Sequence, residues 1–264
     1  MAATQAVEFK ARDGLTLHGY LTLPQGQEKL LPIVVLPHGG PHGVRDTWGF
    51  DWEVQLLANR GYGVLQVNFR GSDGFGAQFR RSGYGQWGAA MQDDITDATL
   101  ALIERGIADK DRICIYGASF GGYAALMGAV KTPDLYCCAI GSMGVYNLPM
   151  TFKEGDIADT TRGLNYLKLV LGEDQNKLKQ LSPAFNTEKI KAQVLLIHGK
   201  QDKRAPLEQV QSLMAAMDKN NKPYQFLLIK DEGHGYYDED NRIKVYKKLL
   251  TFLDKHIGHS AKSE

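Results

Sequence analysis

Apolar residues along this chain of 264 fall into two alternating kinds of segment. The first kind is short and apolar throughout: 31–36, 63–67, 113–116, 137–140, 194–197 and 226–229. Such runs suit parallel strands covered by helices on both sides, because neither face has to meet water. Two earlier stretches, 6–10 and 15–23, are also strand-like. In the second, Leu15, Leu17 and Leu21 share one parity, as in a half-buried strand, and Asp13-Gly14 ahead of it predicts a hairpin turn.

The second kind of segment repeats at steps of three and four. Trp87, Met91, Ile95, Ala98 and Leu102 predict an amphipathic helix over 86–105, and similar patterns predict helices over 119–130, 206–219 and 240–256. In the last of these the apolar stripe is Ile243, Tyr246, Leu250, Leu253 and Ile257. Pro206 suits a first helical position. Strands alternating with helices imply right-handed crossovers, hence an α/β fold with a doubly wound, mostly parallel sheet and helices on both faces. One stretch breaks the rhythm. Residues 147–183 hold polar turns and a helical piece around 164–171, and are expected as a lid-like insertion over the strand C-termini, where ligands bind in such sheets. The whole of 1–264 is expected as a single domain.

Composition changes this picture mainly by exclusion. With 43% hydrophobic and 23% charged residues the chain is ordinary globular protein. A formal net charge of +1 gives no electrostatic case for nucleic acid or an anionic membrane as partner. No run approaches the ~18 consecutive apolar residues of a membrane span, and the N-terminus lacks a basic-then-apolar leader, so a cytoplasmic setting is expected. Homo-oligomerisation is left open. The 3 cysteines, Cys114, Cys137 and Cys138, are odd in number, two of them adjacent, with no metal-ligand spacing. They argue against a disulfide framework, and Cys114, inside an apolar run, is expected as a buried reduced thiol.

The strongest chemical signal is Gly117-Ala118-Ser119-Phe120-Gly121-Gly122, a G-x-S-x-G pattern directly after a predicted strand and directly before a predicted helix. A nucleophilic serine needs a sharp, strained strand-to-helix turn, with small residues on either side to relieve crowding. The helix start also offers free backbone N–H groups to a developing oxyanion. The serine needs a base, and the base an orienting carboxylate, in the chain order Ser, Asp, His for this fold. Four histidines follow Ser119. His256 and His259 sit at the chain's end and are surface residues by default; His198 ends a predicted strand and is a rival. His234, in the glycine-flanked loop Asp231-Glu232-Gly233-His234-Gly235, is the better candidate. Asp202, just past another strand end, is the candidate acid, against the bland alternative of a helix cap near Pro206. The oxyanion hole is assigned to the backbone N–H of Phe120 and to the loop Leu36-Pro37-His38-Gly39-Gly40-Pro41, in which His38 is expected to be structural. Phe75, Tyr84 and Tyr146 are candidates for an acyl pocket, and Trp87, on its helix stripe, is expected in the core.

Taken together, these residues resemble the catalytic α/β-hydrolase domain of the prolyl oligopeptidase family of serine peptidases, in its acylaminoacyl-peptidase-like and dipeptidyl-peptidase-like branches. The resemblance runs from about Val7 to His256. It rests on His38-Gly39-Gly40-Pro41, Asn68-Phe69-Arg70-Gly71-Ser72, Gly74-Phe75-Gly76, Gly85-Gln86-Trp87-Gly88 with Asp93-Asp94, and the Ser119 motif through Tyr123. Ser182-Pro183, His198-Gly199-Lys200-Gln201-Asp202 with Pro206, and Glu232-Gly233-His234 extend it. It implies a triad of Ser119, Asp202 and His234, an oxyanion hole of Gly40 and Phe120, and no metal or organic cofactor. Family members usually carry a β-propeller ahead of this domain; the six residues before Val7 do not hold one, so either an excised catalytic domain or a free-standing hydrolase is expected. The expected activity is hydrolysis of short peptides or acylaminoacyl substrates through an acyl-enzyme, with a carboxylesterase as near alternative and a non-catalytic binding protein as a remote one.

Overall fold

The computed structural model describes residues 1–258, so His259 lies outside the described residues. Eight strands form one sheet in the order β1-β2-β4-β3-β5-β6-β7-β8. They are β1 (Thr4–Lys10), β2 (Thr16–Thr22), β3 (Leu31–Val35), β4 (Gly63–Asn68), β5 (Ala108–Ala118), β6 (Cys138–Ser142), β7 (Gln193–Gly199) and β8 (Tyr224–Ile229). β2 runs antiparallel to both β1 and β4, and every other pair is parallel. The hairpin turn closes with the Ala11 N–H donating to the Leu15 carbonyl at 2.9 Å.

The continuous apolar runs work as two-faced strands. In β5, Ile113 and Ile115 join one core, while Cys114 and Tyr116 join the other; in β7, Val194 and Leu196 part from Leu195 and Ile197 in the same way. The first core is closed by α3 (Ala90–Glu104), α4 (Phe120–Lys131) and α7 (Leu207–Lys219), the second by α1 (Trp52–Ala58) and α8 (Glu239–Ile257). Met91, Ile95, Ala98 and Leu102 are all fully buried, as their spacing predicts. The stripe of α8 is rotated from expectation: Val245, Leu249, Phe252, Leu253 and Ile257 are buried, and Ile243 is exposed. Both registers share Leu253 and Ile257, and the sheet takes the one with the fuller apolar face. The remaining helices are α2 (Ala77–Arg81), α5 (Thr161–Leu171) and α6 (Gln175–Gln180).

Cys114 is buried as expected but is not a free thiol. It is the register partner of Cys138 across the β5–β6 pair, with Cα atoms 4.6 Å apart, and the two are joined in a disulfide; Cys137 is free. No described helix is long and apolar enough to cross a membrane.

Candidate active site

Ser119 stands between β5 and α4 in a left-handed backbone conformation, φ 58° and ψ −121°, which a residue other than glycine adopts at a cost of about 1–3 kcal/mol. The turn is held from both sides: the Ser119 N–H donates to the Ser142 carbonyl of β6 at 2.9 Å, and its own carbonyl accepts from the Tyr123 N–H at 3.0 Å. Gly121 is where the motif's small residue matters most, because a methyl group there would lie 2.2 Å from the Pro37 carbonyl oxygen. That close approach brings the loop after β3 against the start of α4. Helix α4 begins at Phe120, so the Phe120 N–H has no carbonyl within the helix to receive it.

Asp202 and His234 meet in space across 32 residues of chain. Asp202 lies past β7 with its side chain wholly buried. Its Oδ1 accepts from the Arg204 and Ala205 N–H groups at 2.8 and 2.9 Å, and its Oδ2 accepts from His234 Nδ1 at 2.7 Å. The carboxylate can only accept there, so Nδ1 carries a proton and the neutral ring has a free lone pair on Nε2. Asp202 thus both caps its own turn and orients the histidine, and the two readings weighed for it coexist. His198, the rival base, is fully buried and donates Nε2–H to the Ala205 carbonyl at 2.8 Å, with burial lowering its pKa. It supports the Asp202 turn from below. His256 is half-buried against Phe252.

The loop after β3 is braced by residues far along the chain. Gly40 takes φ 109°, and a side chain there would collide with Val44 at 2.3 Å; a methyl on the preceding Gly39 would sit 3.6 Å from the Ser119 Cβ. His38 donates Nδ1–H to the Gly39 carbonyl at 2.7 Å and accepts at Nε2 from the Ser72 hydroxyl at 2.8 Å, while stacking on Phe69. Burial lowers its pKa to about 4, which keeps the ring neutral and this tautomer in place. Ser72 in turn follows Arg70, whose guanidinium makes a buried double hydrogen bond to Asp94 (2.9 and 2.7 Å) while the Arg70 N–H donates to the same carboxylate at 2.8 Å. A second arm of Arg70 reaches Asp13 in the hairpin turn. The Arg70-Gly71-Ser72 motif and Asp94 are therefore bracing for the Gly39–Gly40 loop, whereas Asp93 pairs with Arg12 and Lys131.

Ser119, His234, Gly40 and Phe120 open on one cavity of about 310 Å³. Its floor is Trp87, which packs against Phe120 and Tyr123 and so serves core and cavity at once. Val145, Ile157, Leu167 and Leu171 give apolar walls; Tyr166, Thr151, Glu154 and Arg204 supply the polar positions. None of the three sequence candidates for an acyl pocket lies on this lining. Phe75 stacks on His18 and tilts against Phe79, and Tyr84 meets His42 edge-on. Tyr146 is fully buried, filling the space left by Gly141 and Gly144. Thr151, Glu154, Ile157, Tyr166, Leu167 and Leu171 of this lining come from 147–183, in α5 and in the 3-10 turn Leu148–Phe152 with the loop after it. The available signal was the position of that segment, together with the apolar spacing of Leu167, Val170 and Leu171.

A sheet of this order, with a strained serine after β5, a carboxylate after β7 and a histidine after β8, defines an α/β-hydrolase domain with its site at the strand C-termini. Residues 48–260 match the prolyl oligopeptidase family, and the chain belongs to that family. Dipeptidyl aminopeptidase BIII of Pseudoxanthomonas mexicana is 37% identical over 268 residues, covering 97% of this chain and 39% of its own length. Among solved structures, a puromycin-hydrolyzing peptidase of Mycobacterium tuberculosis superposes with a TM-score of 0.90 at 27% identity, over 97% of this chain and 40% of that one. The acylaminoacyl peptidase of Pyrococcus horikoshii gives a TM-score of 0.89 at 30% identity, over 97% of this chain and 42% of the other. The chain thus spans about two fifths of the length of these relatives.

Proposed function

We propose that this chain hydrolyses acyl bonds of short peptides or acylaminoacyl compounds through an acyl-enzyme. The observation that carries the proposal is the short His234 Nδ1–Asp202 Oδ2 hydrogen bond beside a strained Ser119 on a shared cavity. Ser119 Oγ attacks the substrate carbonyl carbon and its proton passes to His234 Nε2. Asp202 steadies the imidazolium, and the proton leaves with the amine as the carbon–nitrogen bond breaks. Water then repeats the sequence and releases the acid. The N–H groups of Gly40 and Phe120 receive the oxyanion, each worth about 10²–10³ in rate. The relatives support peptide substrates: they are named as a dipeptidyl aminopeptidase, a puromycin-hydrolyzing peptidase and an acylaminoacyl peptidase. The apolar walls suit an uncharged acyl side chain, with 147–183 as a lid over it.

A carboxylesterase is the second reading. The cavity of about 310 Å³ has room for one small acyl group and makes no demand on the leaving group. A panel of p-nitrophenyl esters beside aminoacyl, acylaminoacyl and Xaa-Pro anilides separates the two by kcat/KM. A fluorophosphonate probe is expected to label Ser119, and Ser119→Ala and His234→Gln to abolish turnover while the fold persists. Full activity in Ser119→Ala, or loss on His198→Gln with His234→Gln intact, overturns the assignment.

A further inference from the structure

Asp202 orients the His234 ring without setting how far that ring stands from Ser119. Among the described residues no hydrogen bond joins Ser119 to His234, which is usual before substrate arrives. Their spacing then depends on what holds the two stretches of backbone. Ser119 is held by β6, where the Ser142 carbonyl accepts its N–H at 2.9 Å. Ser142 ends β6 inside the sheet, in register with Ala118 of β5 and Ile197 of β7, and is buried. The next N–H, that of Met143, donates to the Ile197 carbonyl at 2.9 Å, so Ser142 is a fixed point. The loop of His234 is tied in three directions. The Gln201 N–H donates to the Glu232 carbonyl at 2.9 Å, towards the Asp202 turn. The Glu232 carboxylate accepts from the Tyr237 and Asp238 N–H groups at 2.9 and 2.8 Å, towards the start of α8. The third tie is Tyr236, whose ring packs on the second core and whose hydroxyl is 2.8 Å from the Ser142 hydroxyl, either being able to donate. Among the described residues this is the one hydrogen bond from 230–238 to β5 or β6. Ser142 thus meets the nucleophile through its carbonyl and the loop of the base through its hydroxyl.

We propose that Tyr236 is a positioning residue, its bond to Ser142 setting His234 Nε2 at the reach from Ser119 that proton transfer needs. The assignment rests on acyl transfer by Ser119. Tyr236 is not on the cavity lining and acts through the short backbone between it and His234. Asp202 fixes the tautomer of the ring and the point about which it pivots; Tyr236 fixes where the loop holds it. Acylation and deacylation both pass a proton through Nε2, so loosening the tie slows the two steps alike and is read in kcat with KM unchanged. A neutral hydrogen bond shifts a population about fivefold, which sets the size of the effect.

The test takes the full chain as wild type, Tyr236→Phe, Ser142→Ala and the double variant, and measures hydrolysis of p-nitrophenyl acetate and the rate at which a fluorophosphonate labels Ser119. Tyr236→Phe keeps the ring in the core, and Ser142→Ala keeps the carbonyl that receives the Ser119 N–H. Each single change is expected to lower kcat about fivefold with KM unchanged, and to slow labelling by a similar factor. The double variant is expected to lose no more than either single one, because the same bond is removed in all three. A bond that serves the fold alone lowers the melting temperature and leaves kcat within about twofold of wild type, and that result overturns the positioning role while acyl transfer stands. So does a double variant slowed about 25-fold, the product of two independent effects. A wild-type chain that neither hydrolyses the ester nor takes up the label overturns acyl transfer itself, and the Tyr236 assignment with it.

Discussion

Asp202 divides its two oxygens between different tasks, and a single substitution can separate them. Asp202→Asn keeps the size of the side chain and leaves a carbonyl oxygen able to cap the Arg204 and Ala205 N–H groups. Its amide nitrogen then faces His234 Nδ1 as a donor, so the ring must place its proton on Nε2, the atom that has to receive one from Ser119. A fall of about 10⁴ in kcat is expected, the cost of the wrong tautomer in triads of this kind, with thermal stability nearly unchanged. Matching losses of activity and melting temperature would instead make Asp202 a turn cap and nothing more. At this scale the candidate site is legible in the chain wherever a residue's position after a strand dictates where it points, as for Ser119, Asp202 and His234. It is illegible where neighbours arrive from elsewhere. Nothing local to Tyr146 tells that Gly141 and Gly144 open a hole for it, and nothing local to Cys114 tells that parallel register sets it opposite Cys138.

Elements repeat that distinction. β3 to β8 are readable because each carries a short apolar run, and β1 and β2 because a turn at Asp13-Gly14 separates two strand-like stretches, whereas α1 and α2 escape notice as short helices with little periodicity. The segment 147–183 stands out by breaking the strand–helix rhythm, and its walls are then set by α5. Thr160 caps α5 through the Gly163 N–H, Leu167, Val170 and Leu171 face inward, and the Tyr166 hydroxyl is 3.0 Å from His42 Nδ1 on the Gly40 loop. That hydrogen bond ties the segment lining the acyl cavity to the loop assigned to the oxyanion. Tyr166→Phe removes the bond and keeps the ring. A neutral hydrogen bond contributes about 1 kcal/mol, so amide exchange in α5 is expected to quicken about fivefold, with β5 and β6 unaffected. Equal exchange in α5 of the two proteins would mean the element is held by its apolar face alone.

Across the whole molecule, buried titratable groups of opposite kind pull the pH dependence of stability in opposite directions. His38 and His42 are half-buried and neutral, desolvation lowering their pKa values to about 4 from an ordinary 6.5. Between those values the unfolded chain binds a proton that the folded chain refuses, so each histidine makes stability rise with pH through that window and be lost as pH falls. Asp46 and Glu53 do the reverse. Burial raises both to about 7 from near 4, despite hydrogen bonds from Gln66 and Tyr116, so below that pH the folded chain holds protons that the unfolded one has released. Each of them makes stability fall as pH rises through the same window. The opposed pairs conceal one another in the intact protein and are exposed by removing one member. Asp46→Asn deletes a falling contribution, and the slope of unfolding free energy between about pH 5 and 6.5 is expected to steepen upward by about 1.4 kcal/mol per unit. His38→Gln, which can still bridge Ser72 and the Gly39 carbonyl, deletes a rising one and should tilt the slope the other way by a similar amount. Urea melts at half-unit steps of pH read both slopes directly. If Asp46→Asn leaves the slope where it was, Asp46 is ionised in the folded protein, and the buried carboxylate is solvated well enough to keep its charge.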